Sequence, residues 1–181
     1  YFLNDIQQNK AFYAQLAVDK WKKSIETLSP NAVVYKSGSQ YFCLDKELKL
    51  ITYYMKYEVG NNGKIGQYVW QSLVWINPAA AYIKHYPQQI FFRELLPKFG
   101  AILTDSEQSW DGRRFWIYRI QDAFKMNLNV YFYNFGKHVI AKMNDYNDFV
   151  QAQSTYDIWG DTDKHLMKRM IITNKQLPIG K

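Results

Sequence analysis

Between Ala101 and Phe135 the spacing of apolar residues changes twice, and no other feature limits the folds open to this chain as much. Ala101–Thr104 is a short continuous apolar run and Asp105–Asp111 is polar. From about Gly112 to Met126 apolar residues recur at helical spacing, and Leu128–Tyr133 returns to an apolar run. The expectation is strand, turn, amphipathic helix, strand. A helix of this length between two strands predicts parallel or near-parallel neighbours, with ligands placed at the end of the first strand. The turn there collects Asp105, Ser106, Glu107, Gln108, Ser109 and Asp111, the densest group of reactive side chains in the chain.

The elements before it read in order. Phe12, Leu16, Trp21, Ile25 and Leu28 predict a first helix over Asn4–Leu28, stopped by Ser29 and Pro30. Ala32–Lys36 and Gln40–Leu44 flank Ser37-Gly38-Ser39, a hairpin signal. Leu48–Val59 alternates as one long strand, and Gly60-Asn61-Asn62-Gly63 predicts a tight turn into a partner strand, Tyr68–Ile76. Asn77-Pro78 ends that strand. Ala79–Gln89 reads as a loop or short helical turn, and Ile90–Leu96 as a helix ended by Pro97 and Gly100.

Beyond the central unit, Lys137–Met143 predicts a further strand, hairpinned at Asn134–Gly136. Asp145–Gln153 predicts a short helix, Trp159–Asp161 a turn, and the end of the chain a basic tail. The expected architecture is α/β: a single domain over residues 1–181 with a mixed, mostly antiparallel central sheet flanked by helices. Residues 1–30 hold the first helix, 31–143 the sheet and its helices, and 144–181 a C-terminal extension.

A chain of 181 residues is long enough to bury a substantial core. Its 18% aromatic content favours strands and large amphipathic contact surfaces, and its formal charge of +7 favours anionic partners without choosing among them. One cysteine, Cys43, excludes an intrachain disulfide and fits a reducing, cytoplasmic setting. No apolar run is long enough to span a membrane.

Glu107 and Asp105 are candidates for a general base; the same acids suit the first turn of a helix, where Ser109 or Asp111 would cap. His85, His138 and His165 stand in no metal-ligand spacing, so no metal site is expected. Cys43 sits on an expected strand and reads as buried rather than nucleophilic, and Ser106 lacks the G-x-S-x-G setting of a nucleophile. Lys164, Lys168, Arg169, Lys175 and Lys181 make the tail basic. With Trp159 and His165 they suit contact with nucleic-acid phosphates and base stacking, or a solvated C-terminus.

The order helix, antiparallel meander, long hairpin, loop, helix, strand, helix, strand, strand resembles that of the GNAT acyltransferase superfamily over roughly Asn4–Met143. Val74-Trp75-Ile76-Asn77-Pro78 is similar to the segment that ends the fourth strand of that family. Lys84-His85-Tyr86-Pro87-Gln88-Gln89 stands, without a glycine, where the family carries its glycine-rich coenzyme A loop. Asp111 and Tyr118 share a spacing similar to the family's helical Asn and Tyr. The resemblance implies transfer of an acyl group from acetyl- or another acyl-coenzyme A to an amine on a small molecule, protein or nucleic acid. Under it, Val74, Trp75, Ile76, Lys84, His85, Gln88 and Gln89 would hold the cofactor, Glu107 or Asp105 would act as base and Tyr118 as acid. The alternative is a non-catalytic relative that binds nucleic acid or a protein through a basic, aromatic surface.

Overall fold

In a computed structural model, residues 2–16, 21–24, 30–78, 80, 85–105, 109–159 and 166–179 are described. The chain is α/β, with a mixed, mostly antiparallel set of nine strands among the described residues. It divides into two compact units, Tyr1–Glu58 with Gln71–Arg93, and Val59–Trp70 with Glu94–Lys181.

In the first unit, helix α1 (Ile6–Gln15) starts at Asp5, whose carboxylate accepts from the Gln7 and Gln8 amides at 2.8 and 3.1 Å. It ends at Leu16, well short of the expected Leu28. Trp21 lies at a bend just before a two-residue strand and stacks on Phe42 at 4.7 Å, so its apolar spacing from Phe12 and Leu16 reports the sheet rather than a helix face. Lys22–Lys23 then form a short edge strand, β1, on β2 (Ala32–Ser37). β2 and β3 (Gln40–Asp45) make the expected hairpin around Gly38, which has φ +58°.

β4 (Leu50–Asn62) follows, with a bulge against β3: Cys43 faces Tyr53 and Leu44 faces Ile51, leaving Thr52 as the extra residue. Asn9 of α1 serves the disturbed ladder. Its side chain accepts from Ile51 N at 2.8 Å and donates to Ile51 O at 3.0 Å and Leu3 O at 3.2 Å. β5 (Gly66–Ile76) is the neighbour of β4, so the strands of this unit run β1-β2-β3-β4-β5. The turn between β4 and β5 lies at Gly63–Ile65, beyond the expected position, with Gly66 at φ +79°. Gly60 is used differently: a Cβ there would stand 2.5 Å from the Tyr68 ring.

A four-residue helix, α2 (Tyr86–Gln89), precedes a π-helical turn at Ile90–Leu95 and α3 (Leu96–Phe99). Pro97 sits at the start of α3 and does not end the helical run. It lacks the N–H that would complete an α-turn, and the widened turn lies just ahead of it. Gly100, at φ +81°, provides the stop.

The second unit contains β6 (Ala101–Leu103), α4 (Trp110–Lys125), β7 (Asn129–Asn134), β8 (Val139–Met143), α5 (Tyr146–Thr155) and β9 (Lys168–Thr173). Ser109 caps α4 by accepting from Gly112 N, and Asp145 caps α5. The strands neighbour one another in the order β5-β6-β9-β7-β8. β6 is parallel to β5 through Val69–Ile102 and Trp70–Leu103, and β9 is antiparallel to both β6 and β7.

Two expectations change here. β6 and β7 run in the same direction but are not neighbours, because β9 lies between them. The segment read as a basic tail supplies that strand, with Met170–Thr173 fully buried. Beyond it Leu177 N donates to the Tyr131 hydroxyl at 3.1 Å, which in turn donates to Gln176 at 3.0 Å. No helix among the described residues is long and apolar enough to cross a membrane.

Candidate functional site

Strand alternation sorts the residues of the second unit onto two sides of its sheet. On one side Phe132 stacks on Tyr156, at the end of α5, with ring centroids 4.3 Å apart and planes 5° from parallel. α4 packs against β7 and buries Trp116, Ile120 and Ala123. The other side gathers Ala101, Leu103, Tyr131, Tyr133 and Ile171, joined by Ile65, Ile140 and Leu177, and no helix contributes to this cluster. Three half-buried aromatics finish it: Tyr68, Trp70 and Phe135. Tyr68 lies 5.8 Å from Trp70 and 6.4 Å from Phe135 between ring centroids.

These three rings, with Leu103, Met167 and Arg169, line a cavity of about 240 Å³. Arg169 pairs with Tyr133 in the strand register, which places it on this side of the sheet. Its Nη1 donates to the carbonyls of Leu166 at 2.6 Å and Lys168 at 2.7 Å, fixing the guanidinium at the cavity wall. Lys142 pairs with Tyr131 and shares the side, and at the hairpin tip Lys64 Nζ donates to His138 O at 2.8 Å.

Asp105 lies just past the end of β6, where the strand–helix–strand reading put the site. Its Oδ2 accepts from Trp116 Nε1 at 3.3 Å. Burial pushes its carboxyl up to about 7, against the opposing pull of the Trp116 hydrogen bond and the Arg169 charge. Arg169 is lowered, chiefly by its own burial, with Asp105 and Tyr68 pulling the other way. The pair therefore couples a carboxyl poised near neutrality to the guanidinium of the cavity.

A second basic-aromatic cluster stands on α4. Arg113 lies 5.5 Å from the ring of Trp110 and 5.9 Å from that of Trp159, and Trp110 is 79% exposed. Trp159 is held by its Nε1 bond to Gln153 at 2.9 Å.

The other expected site residues are dispersed. Tyr118 is 52% exposed, two positions beyond Trp116 and so about 200° around α4 from the side that meets Asp105. Glu107 and Lys84 lie outside the described residues. Within the first unit, Trp75 is buried beside α1, donates from Nε1 to Asn4 at 2.7 Å, and lines a cavity of about 730 Å³ with Leu3, Leu50, Thr52 and Pro78. Val74 and Ile76 alternate to the opposite side. His85 is exposed, and Gln88 and Gln89 are half-buried.

The described part of the segment expected to hold coenzyme A does not fit a pyrophosphate. The helical run there begins with buried Tyr86 and Pro87, and Pro87 has no amide hydrogen to offer. Cys43 is buried and its thiol is pushed up to about 12 by burial, which makes it unreactive. Among the described residues no group of three His, Cys, Asp or Glu side chains could hold a metal ion.

Trp116, Tyr68, Trp70 and Phe135 were not singled out by sequence reasoning, and Arg169 entered it only as one charge of a basic tail. The available signal was Met170–Thr173, a run of strand formers inside the basic segment, which brings Arg169 into a sheet. Neither a protein-family model nor a curated protein matches the chain.

Proposed function

We propose that the second unit binds single-stranded nucleic acid across the side of its sheet that carries Tyr68, Trp70 and Phe135, to whose cluster no helix among the described residues contributes. The observation that carries this reading is the set of three half-buried rings, Tyr68, Trp70 and Phe135, around the Arg169 guanidinium. Flat rings on a sheet surface give unstacked bases a platform that hydrogen-bond geometry does not restrict. Lys142 and Lys64 supply cations on or beside that platform, and the net charge of +7 favours encounter with a polyanion.

The test is fluorescence anisotropy with labelled oligonucleotides of ~12 nucleotides, a length within the usual site size. Trp70→Ala and Phe135→Ala should each weaken binding by about 5- to 150-fold, the loss of one stacked base. Affinity should fall steeply with salt. Parent-like affinity in both variants would remove the proposed platform.

A second reading, acyl transfer to an amine as the order of elements suggests, is favoured by Asp105. A carboxyl near neutrality at a strand end is suited to accept a proton from an attacking amine. Titration of thermal stability with acetyl-coenzyme A tests it. Saturating ligand should raise the transition by several degrees, and an unchanged transition counts against a cofactor site.

A further inference from the structure

We infer that the Arg169 cavity takes one guanine base, read by the guanidinium along its O6 and N7 edge, so that the nucleic-acid surface prefers strands containing guanine. This rests on the nucleic-acid reading above and specifies its partner.

At about 240 Å³ the cavity is smaller than the ~300–1,000 Å³ typical of small-molecule sites. It suits a single ring system rather than a whole nucleotide cofactor. Tyr68, Trp70 and Phe135 wall it with faces and edges that favour a flat aromatic occupant.

Arg169 supplies the polar recognition. Nη1 is committed to Leu166 O and Lys168 O, and among the described residues Nη2 and Nε make no hydrogen bond. Two neighbouring donors held in one plane match the two acceptors, O6 and N7, that guanine presents on its major-groove edge. Adenine presents a donor beside N7, and a pyrimidine lacks the pair.

A phosphate is the competing occupant for any arginine. Here Asp105 interacts electrostatically with Arg169, and its ionised fraction offsets part of that charge. The aromatic walls further favour a neutral base over a hydrated dianion. Phosphates are better served by the lysines around the cavity than by the guanidinium inside it.

The experiment measures the affinity of the intact protein for thymidine ~12-mers carrying one central deoxyguanosine, 7-deazadeoxyguanosine, deoxyinosine or deoxyadenosine. Deoxyguanosine should bind about 5- to 150-fold more tightly than deoxyadenosine, the discrimination of one bidentate pair. Deoxyinosine keeps O6 and N7 and should match deoxyguanosine, whereas 7-deazadeoxyguanosine lacks N7 and should fall toward deoxyadenosine. Arg169→Met should abolish the preference, read within that variant as equal affinity for the deoxyguanosine and deoxyadenosine strands. If that variant fails to fold, the 7-deaza comparison in the parent protein decides the matter.

Equal, measurable affinity for all four strands would overturn the guanine inference and leave the stacking surface standing. Tighter binding of 7-deazadeoxyguanosine than of deoxyadenosine, by the full deoxyguanosine margin, would also overturn it, because N7 would then play no part. No binding of any strand would overturn the nucleic-acid reading itself.

Discussion

The two sides of the second unit's sheet carry almost the same kinds of residue and do different things with them. Phe132 lies flat on Tyr156 and faces a side on which α4 and α5 bury Trp116, Ile120, Ala123, Phe149 and Ala152. One residue away along the same strand, Tyr131 and Tyr133 point to the side where Tyr68, Trp70 and Phe135 stop half-buried around Arg169. Aromatic content is thus no guide to function by itself. A ring covered by a helix stabilises the fold, and a ring left at the rim beside a cation can recognise a ligand.

The sharpest test of this contrast removes the strand that both sides share. Truncation before Lys168 deletes β9, whose neighbours β6 and β7 would lose their common partner at Ile102, Leu103, Val130 and Tyr131. Hydrogen-exchange protection of the Ile102 and Tyr131 amides should vanish. Retained protection would mean that the C-terminal segment is an accessory after all.

Next in size is Phe132→Ala. Removing a buried, stacked ring should cost about 3–5 kcal/mol, read by chemical denaturation. Oligonucleotide affinity of the molecules that remain folded should be unchanged. Trp70→Ala should show the opposite pattern, a small loss of stability with a large loss of binding. Two variants that lose both properties in parallel would erase the distinction between the sides.

Asp105 gives a smaller, pH-dependent effect. Its unfolded carboxyl titrates near ~3.9 and its folded one near about 7. Between those values the native state holds a proton that the unfolded state has released, so stability falls as pH rises through that window. The slope is limited to about 1.4 kcal/mol per pH unit, and the group contributes none below the lower value or above the upper one. Asp105→Asn should flatten denaturation midpoints across pH 4–7 by that amount or less, because the Trp116 and Arg169 interactions are altered too. An identical pH slope in the variant would show that the carboxyl is not held in the protonated form.

The elements of the strand–helix–strand unit were legible in the sequence because each has one dominant period. The Ala101 strand, a cap at Ser109 or Asp111, the helix that follows, the Leu128–Tyr133 strand and the position of Asp105 were all read from that pattern. What the pattern could not carry was partnership between distant segments. β9 was hidden because Lys168 and Arg169 precede its apolar run and basic residues follow it, so local composition spoke for a solvated tail. The shortened α1 has a related cause: Trp21 fits a helical count from Phe12 and Leu16, but its ring is held by Phe42. The cavity was illegible for the same reason, since Tyr68, Phe135 and Arg169 come from separate segments and only the strand order brings them together.

The smallest expected effect concerns Tyr118, and it separates the two functional readings most cleanly. Trp116 faces the sheet and bonds Asp105, and a residue two positions on along α4 points the other way. Tyr118 is half exposed there, where its hydroxyl is not needed by the fold. Tyr118→Phe should therefore change stability by less than ~0.5 kcal/mol. It should leave oligonucleotide affinity unchanged, because the ring lies on α4 and contributes nothing to the cavity of Tyr68, Trp70, Phe135 and Arg169. Under the acyl-transfer reading the same substitution removes the acid implied by the GNAT-like spacing from Asp111 and should depress turnover by about 10²- to 10⁴-fold. A variant that folds, binds and turns over like the parent would detach Tyr118 from chemistry altogether; lost turnover with intact binding would restore the acid role and require a ligand on the outer side of α4.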